Sequence, residues 1–195
     1  ISVEPFTHAQ SRVSPERLRQ LCGAGDIFSP NELEAISLVG PGTPTELVRK
    51  LAEAGAAIVC LRRGEKGAVV HDASTGETWS VPAVLGEEGG ASLSSENDEG
   101  GGAAAKAEGE GTVGKGVVVD VTGCGNAFCG GFLASLLAGG EEGLLDAAVW
   151  GSVAASLMAE AVGVPEHPEG VGGEACRREA TRRAEALKAL GTRLA

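Results

Sequence analysis

Residues 120–132 read Asp120-Val121-Thr122-Gly123-Cys124-Gly125-Asn126-Ala127-Phe128-Cys129-Gly130-Gly131-Phe132. Val117–Val119 precede them as a strand-like run, and an apolar stretch from about Asn126 to Ala138 follows. The order is therefore strand, glycine turn, helix. It puts the backbone N–H groups of Gly123, Cys124, Gly125 and Asn126 at a helix N-terminus, where intrahelical acceptors are lacking. Such a terminus attracts phosphate through direct N–H bonds and the helix dipole. Glycine lets the backbone approach an anion with no Cβ in the way. A plain strand-to-helix turn that needs glycine for its shape accounts for the same residues, so geometry alone leaves both readings open.

Outward from this turn, the chain alternates strands and helices. Ile1–Pro5 reads as the end of a strand. Ser14 caps a short helix to Leu21, with Pro15 in its first turn. Asp26–Phe28 is a short strand, and Ser29-Pro30-Asn31-Glu32 opens a helix through Leu38. Thr43-Pro44-Thr45-Glu46 opens another, running to Glu53 before Gly55. Ala57–Leu61 is an unbroken apolar run, the pattern of a strand covered on both faces. Ala68–His71 and Thr78–Val81 flank turn residues 72–76 and predict a hairpin. Leu144–Val162 predicts a helix apolar on nearly every side, hence buried between layers. Glu174–Leu190 predicts a charged amphipathic helix whose Arg and Glu residues form a solvated face. The whole predicts an α/β fold with a largely parallel sheet.

Residues 86–116 break the pattern. About a third are Gly, and seven acids against two lysines give the segment a charge of −5. So little apolar surface cannot offset the entropy of ordering, which predicts a disordered insertion. The expected organisation is 1–85 with 117–165 as one α/β domain, 86–116 as the insertion, and 166–195 as a terminal charged helix.

The net charge of −11 argues against nucleic acid as a partner, because that needs a basic face. No apolar run approaches the roughly 20 residues of a membrane span. Aromatics are 3% of the chain, so its core must rest on Val, Leu and Ala. Cysteines 22, 60, 124, 129 and 176 form no C-x-x-C pair and no disulfide framework, which favours reduced thiols and a cytoplasmic location. His8, His71 and His167 lack metal-ligand spacing. The chain starts at Ile1 and its one methionine is Met158, so the expectation is a fragment of a longer protein.

Residues 120–132 resemble the second signature of the pfkB (ribokinase-like) carbohydrate kinase family, D-T-x-G-A-G-D-x-F-x-G-G-F. Asp120, Gly123, Gly125, Phe128, Gly130, Gly131 and Phe132 match in register. Pro30-Asn31-Glu32-Leu33-Glu34 resembles the family's P-N-x-x-E element. Arg62-Arg63-Gly64-Glu65-Lys66-Gly67 resembles its strand-terminal glycine loop, and 147–163 its Ala-rich helix beside the nucleotide base. The resemblance implies a doubly wound, Rossmann-like sheet, with the N-terminal half and lid missing here. It implies ATP-dependent phosphorylation of a hydroxyl on a sugar, nucleoside or related small molecule, with Mg²⁺ and a monovalent cation as cofactors. Gly123, Cys124 and Gly125 would form the anion hole. Asn31 and Glu34 would hold Mg²⁺ and phosphates through water, Glu34 being the indirect metal residue. Arg62, Gly64, Gly67 and Thr122 would approach the nucleotide, and Ser152 would lie near the adenine.

One departure falls where the chemistry is decided. The family's last Asp of G-A-G-D, its general base, is Asn126 here. An amide cannot accept a proton as a carboxylate does. Asn126 therefore orients a hydroxyl at most, and a nucleotide-binding pseudokinase or scaffold is the alternative to a weakened kinase. With Arg62 and the Gly151–Ser156 run, it resembles a divergent pfkB branch. Two lookalikes are set aside. Residues 109–116 nearly spell a P-loop but lack its final Ser/Thr and precede a strand, not a helix. Cys124 and Cys129 read as small packing residues, not nucleophiles.

Overall fold

The structure is a computed structural model that describes residues 1–5, 13–86, 112–113, 116–165 and 171–194. The strands are β1 (Ser2–Val3), β2 (Ile27–Phe28), β3 (Ile58–Arg62), β4 (Ala68–Asp72), β5 (Thr78–Val81), β6 (Ala83–Val84), β7 (Thr112–Val113) and β8 (Thr192–Arg193). The helices are α1 (Pro15–Cys22), α2 (Glu32–Val39), α3 (Pro44–Glu53), α4 (Cys124–Ala138), α5 (Leu144–Ala159) and α6 (Val171–Leu190). One six-stranded sheet has the order β1-β2-β3-β4-β5-β8, and β6 pairs with β7 in a separate ladder.

The alternation along β3 decides the layering. Val59 and Leu61 point to a core with Phe28, Leu47, Val48 and Leu51, beneath α2 and α3. Cys60 points the other way, to a core built from Phe128 and Phe132 of α4, Val149 and Val153 of α5 and Leu187 of α6. Successive strand residues face opposite sides, so an all-apolar run must be covered twice. The result is a helix–sheet–helix sandwich, the doubly wound α/β architecture.

Helix starts follow local chemistry. Ser14 accepts from the Arg17 amide, as its sequence position predicts. Thr43 and Glu46 form a reciprocal capping box at α3. At α2 the cap is Asn31, two residues after the Ser29 start of the expected signature. Its Oδ1 accepts from the Glu34 amide (2.9 Å), and Glu34 Oε2 accepts from the Asn31 amide (2.7 Å). Ser29 is buried instead, and its hydroxyl donates to the Cys60 carbonyl.

Three expectations need correction. The sheet is mixed: β1, β2 and β3 run parallel, but the β4 and β5 hairpin and then β8 join antiparallel. Val117–Val119 form no strand. The Val119 amide donates to the carbonyl of Ala159 at the end of α5 (2.8 Å), and Val119 is 51% exposed. The helix expected from about Asn126 begins at Cys124. Within the expected insertion, Thr112–Val113 pair in parallel with β6, and Gly86 is buried; residues 87–111 and 114–115 lie outside the described residues. No helix among the described residues is long and apolar enough to cross a membrane.

The terminal helix packs into the sandwich through one buried cation. Arg183 is 4% exposed, and Glu179 bonds both it and Arg182. Hydrogen bonds from Arg182, then those from Arg183 with both charges, outweigh desolvation and bring the Glu179 carboxyl from 4.5 down to about 2. A depressed carboxyl stabilises the fold above its unfolded pKa and loses that contribution as pH falls through the folded value. Urea unfolding of wild type is therefore expected to lose stability between pH 4.5 and about 2. Glu179→Gln is expected to be less stable at pH 7 and to show a shallower loss across that window. Equal slopes for the two proteins would contradict the assignment.

Candidate functional site

A cavity of about 620 Å³ opens between the ends of β2 and β3, the loop after β3, the segments around 84 and 118, and α4 and α5. That volume suits a small-molecule ligand. Its walls at Val84, Leu85, Val118, Val121, Phe128, Ala155 and Ala159 are apolar. Its polar end is the start of α4.

Gly123 caps α4 in the left-handed region at φ +85°, and an added Cβ would lie 2.6 Å from Met158 Cε. Both facts demand glycine here. The cap has no side chain to bond the first turn. The Cys124 amide donates to the Val121 carbonyl (3.2 Å). The amides of Gly125 and Asn126 have no acceptor among the described residues. The helix dipole adds partial positive charge at the same point.

Arg62, at the end of β3, lies against this turn. A Cβ at Gly125 would overlap its Nη1, so Gly125 makes room for a guanidinium. Nη2 donates to the Ser29 carbonyl (2.8 Å), 3.2 Å from Glu4 Oε2 and 3.9 Å from Glu34 Oε2. Nε is buried with no hydrogen-bond partner among the described residues. The backbone of Arg62 bridges that of Asn31 in parallel, which carries the β2–β3 pairing to the cavity edge.

Beyond Arg62 the chain turns through Gly64–Lys66 to Gly67, at φ +79°. Gly67 packs on the β5–β6 connection. A Cβ there would overlap the Val81 carbonyl oxygen and sit 2.6 Å from the Pro82 carbonyl carbon. Gly64, also at positive φ, meets nothing within 4 Å.

On the far side, α4 and α5 approach closely. A Cβ at Gly131 would lie 2.6 Å from the Trp150 carbonyl oxygen, and one at Gly151 would lie 3.0 Å from the Phe128 ring. Phe128 and Phe132 stack at 6.1 Å. Gly130 is exposed and meets nothing, so packing places no demand on it.

No family model matches the chain. A cytidine kinase of Thermococcus kodakarensis is 32% identical over 117 residues, which is 60% of this chain and 31% of that protein. A probable sugar kinase from Rhizobium etli superposes with a TM-score of 0.56 at 25% identity, over 84% of this chain and 39% of its own. The ribokinase of Arabidopsis thaliana, solved with ribose and ATP, superposes with a TM-score of 0.59 at 18% identity, over 94% of this chain and 47% of its own. The fold is ribokinase-like. The chain spans about a third of its curated relative and two fifths to a half of the solved chains.

In this ribokinase-like chain the cavity collects Asn31, Arg62, Gly64, Gly67, Cys124, Gly125 and Ser152 of the residues named from sequence. Glu34, Thr122, Gly123 and Asn126 do not line it. Asn126 and Thr122 are exposed beside its mouth, on α4 and on the turn before it. The Thr122 amide donates to Asp120 Oδ1 (2.8 Å), and with the Thr122 hydroxyl it holds that carboxyl below its usual range. Glu34 is buried and committed to its capping box.

The cysteines are poor nucleophiles. Burial, then the Asp120 charge, raises the Cys124 thiol. Burial pushes Cys129 up to about 11, and its Sγ donates to the Ser29 hydroxyl (3.2 Å). Sequence reasoning missed Glu4 and the wall at 84–85 and 118. Glu4 carried no local signal; the wall residues are unremarkable valines and leucines until the fold gathers them.

The two loop glycines separate space from backbone conformation. Gly67→Ala is expected to cost about 3 kcal/mol, from positive-φ strain plus overlap with the β5–β6 backbone. Gly64→Ala is expected to cost about 1 kcal/mol, from φ alone. Equal unfolding midpoints for the two variants would contradict this packing.

Proposed function

We propose that the cavity binds ATP with Mg²⁺, and that the whole protein transfers the terminal phosphoryl group to a hydroxyl of a sugar, nucleoside or related small molecule. One observation carries the reading: an apolar cavity ends on a helix N-terminus with two unpaired amides and an arginine beside it. The apolar walls suit a base, and the α4 start suits phosphates. The cytidine kinase and ribokinase likenesses support the same class of reaction and acceptor.

The residues present fit such a ligand. The Gly125 and Asn126 amides are donors for phosphate oxygens. Arg62 adds a fixed positive charge, braced by the Ser29 carbonyl and Glu4. Among the described residues no cluster of His, Cys, Asp or Glu forms a ready metal cage. A magnesium ion would therefore be held through the phosphates and water, with Asn31 at the cavity edge and Glu34 buried behind it, bonded to the Asn31 amide. When bound, the ion neutralises charge developing on the phosphoryl oxygens. A monovalent cation would be a further electrostatic aid.

Asn126 limits the chemistry. It can donate or accept a hydrogen bond and so orient an attacking hydroxyl, but it cannot take the proton. Loss of a general base typically costs roughly 10²–10⁴ in rate, less where positioning and charge stabilisation dominate, as in phosphoryl transfer. Asn126 thus also favours a second reading, a nucleotide-binding pseudokinase or scaffold.

Calorimetric titration of the whole protein with ATP and Mg²⁺, followed by transfer assays on pentoses, hexoses and nucleosides, tests both. Saturable ATP binding is expected, with slow transfer to one acceptor class. Asn126→Asp is expected to raise that rate by roughly 10²-fold, the scale of general-base catalysis. Binding without transfer by either form selects the pseudokinase. No ATP binding contradicts both readings.

A further inference from the structure

Behind the apolar wall of the cavity lies the most elaborate buried polar cluster among the described residues. All three nitrogens of the Arg183 guanidinium are committed. Nε donates to Glu179 Oε1, Nη1 to Ser156 Oγ and Nη2 to Glu160 Oε2, each at 2.8 Å. Burial alone pulls this guanidinium down, but hydrogen bonds and charge from Glu160 and Glu179 raise it overall. The Ser156 hydroxyl spends its own proton on the Val153 carbonyl (2.7 Å), so toward Arg183 it can only accept.

Glu160 carries the link onward. Its Oε1 accepts from the Gly86 amide at 2.6 Å. A Cβ at Gly86 would lie 2.6 Å from Arg183 Nη2, and one at Gly116 would lie 3.0 Å from Glu160 Oε1 and 2.8 Å from the Gly86 nitrogen. Two stretches of chain, 85–86 and 116–119, thus converge on one ion pair. Among the described residues, the β6–β7 ladder, this pair and the Ala159 carbonyl all tie them down. Leu85 and Val118 of these stretches line the cavity, as does Ser156.

A buried ion pair gives uncertain net stability, since desolvation offsets the Coulomb gain, and an apolar pair of similar volume often does as well. What an apolar pair cannot do is bond one backbone amide, one hydroxyl and a second carboxylate at fixed angles. We propose that Arg183 is a positioning residue for the nucleotide cavity. Through Ser156 and Glu160 it holds Leu85 and Val118 at the spacing that admits the base, so α6 sets nucleotide affinity without touching the ligand. The proposal rests on the nucleotide reading above.

The test is ATP titration of the full chain in wild type, Arg183→Met, Arg183→Lys and Arg178→Met, with amide hydrogen exchange on each. Arg178 pairs with Glu174 on the exposed side of the same helix. Arg183→Met is expected to weaken ATP binding by about tenfold or more, as a misplaced contact wall does. Exchange at Gly86 and Val119 should quicken while that at Val70, in the sheet, does not. Arg183→Lys should recover part of the affinity, and Arg178→Met should stay within about twofold, as surface substitutions do. If Arg183→Met fails to fold, Glu160→Gln replaces it, with several-fold weaker binding expected. Wild-type affinity in the folded variant, whatever its exchange pattern or melting temperature, overturns this proposal alone. A wild-type chain that binds no ATP overturns the nucleotide reading on which it rests.

Discussion

An α-helix cannot satisfy its own first amides, and α4 begins on Gly123, a residue with no side chain to do it instead. That shortage organises the molecule around it. The turn into α4 takes a left-handed glycine because Met158 fills the space where a side chain would go. The helix then lies against α5 through Gly131 and Gly151, and its phenylalanines enter the core beneath the sheet. A polar deficit is thereby fixed at the end of an apolar cavity, in rigid surroundings. Exposed amides in a flexible loop would simply be solvated; here a rigid turn keeps two of them without an acceptor among the described residues.

Arg62 changes how that deficit is shared. A guanidinium pressed against Gly125 adds a full charge to the partial charge of the helix end. Glu4 and Glu34 stand on its other side, so the cation does not repel the helix start unopposed. Sequence reading gave Gly125 the task of admitting an anion; the structure gives it the task of admitting Arg62. The two are compatible, since a guanidinium beside a helix N-terminus can itself donate N–H bonds to phosphate oxygens. They weigh the chemistry differently, though. An amide side chain at 126 with an arginine at 62 is better suited to holding negative charge than to removing a proton.

Much of this was legible in local patterns. The apolar run of β3 announced coverage on both faces, and the cap-plus-proline starts at Ser29 and Thr43 announced their helices, although α2 takes its cap from Asn31 instead. The glycine turn announced α4, which starts two residues before the expected Asn126. What failed was whatever depended on partners far along the chain. Three consecutive valines at 117–119 have strand propensity, but the Val119 amide bonds the end of α5, 40 residues on; Val117 and Val119 face solvent, while Val118 lines the cavity. β8, two residues long, is visible only because β5 lies beside it. Arg183 looks like any arginine on a charged helix; burial and partners at 156 and 160 make it a structural cation. Asn126 was expected in the site from the resemblance, but its exposed position outside the cavity lining was not legible.

Cys124 offers the most direct check of the central claim, that the cavity ending on α4 receives the nucleotide. It is half-buried and lines that cavity, whereas Cys22, Cys60, Cys129 and Cys176 are buried elsewhere. Alkylation of the native protein, followed by mass spectrometry of the Cys124 peptide, measures access to the cavity with and without ATP and Mg²⁺. The account predicts slow labelling that saturating ATP suppresses further, with the other thiols unchanged. A Cys124 labelling rate that saturating nucleotide leaves untouched would contradict it.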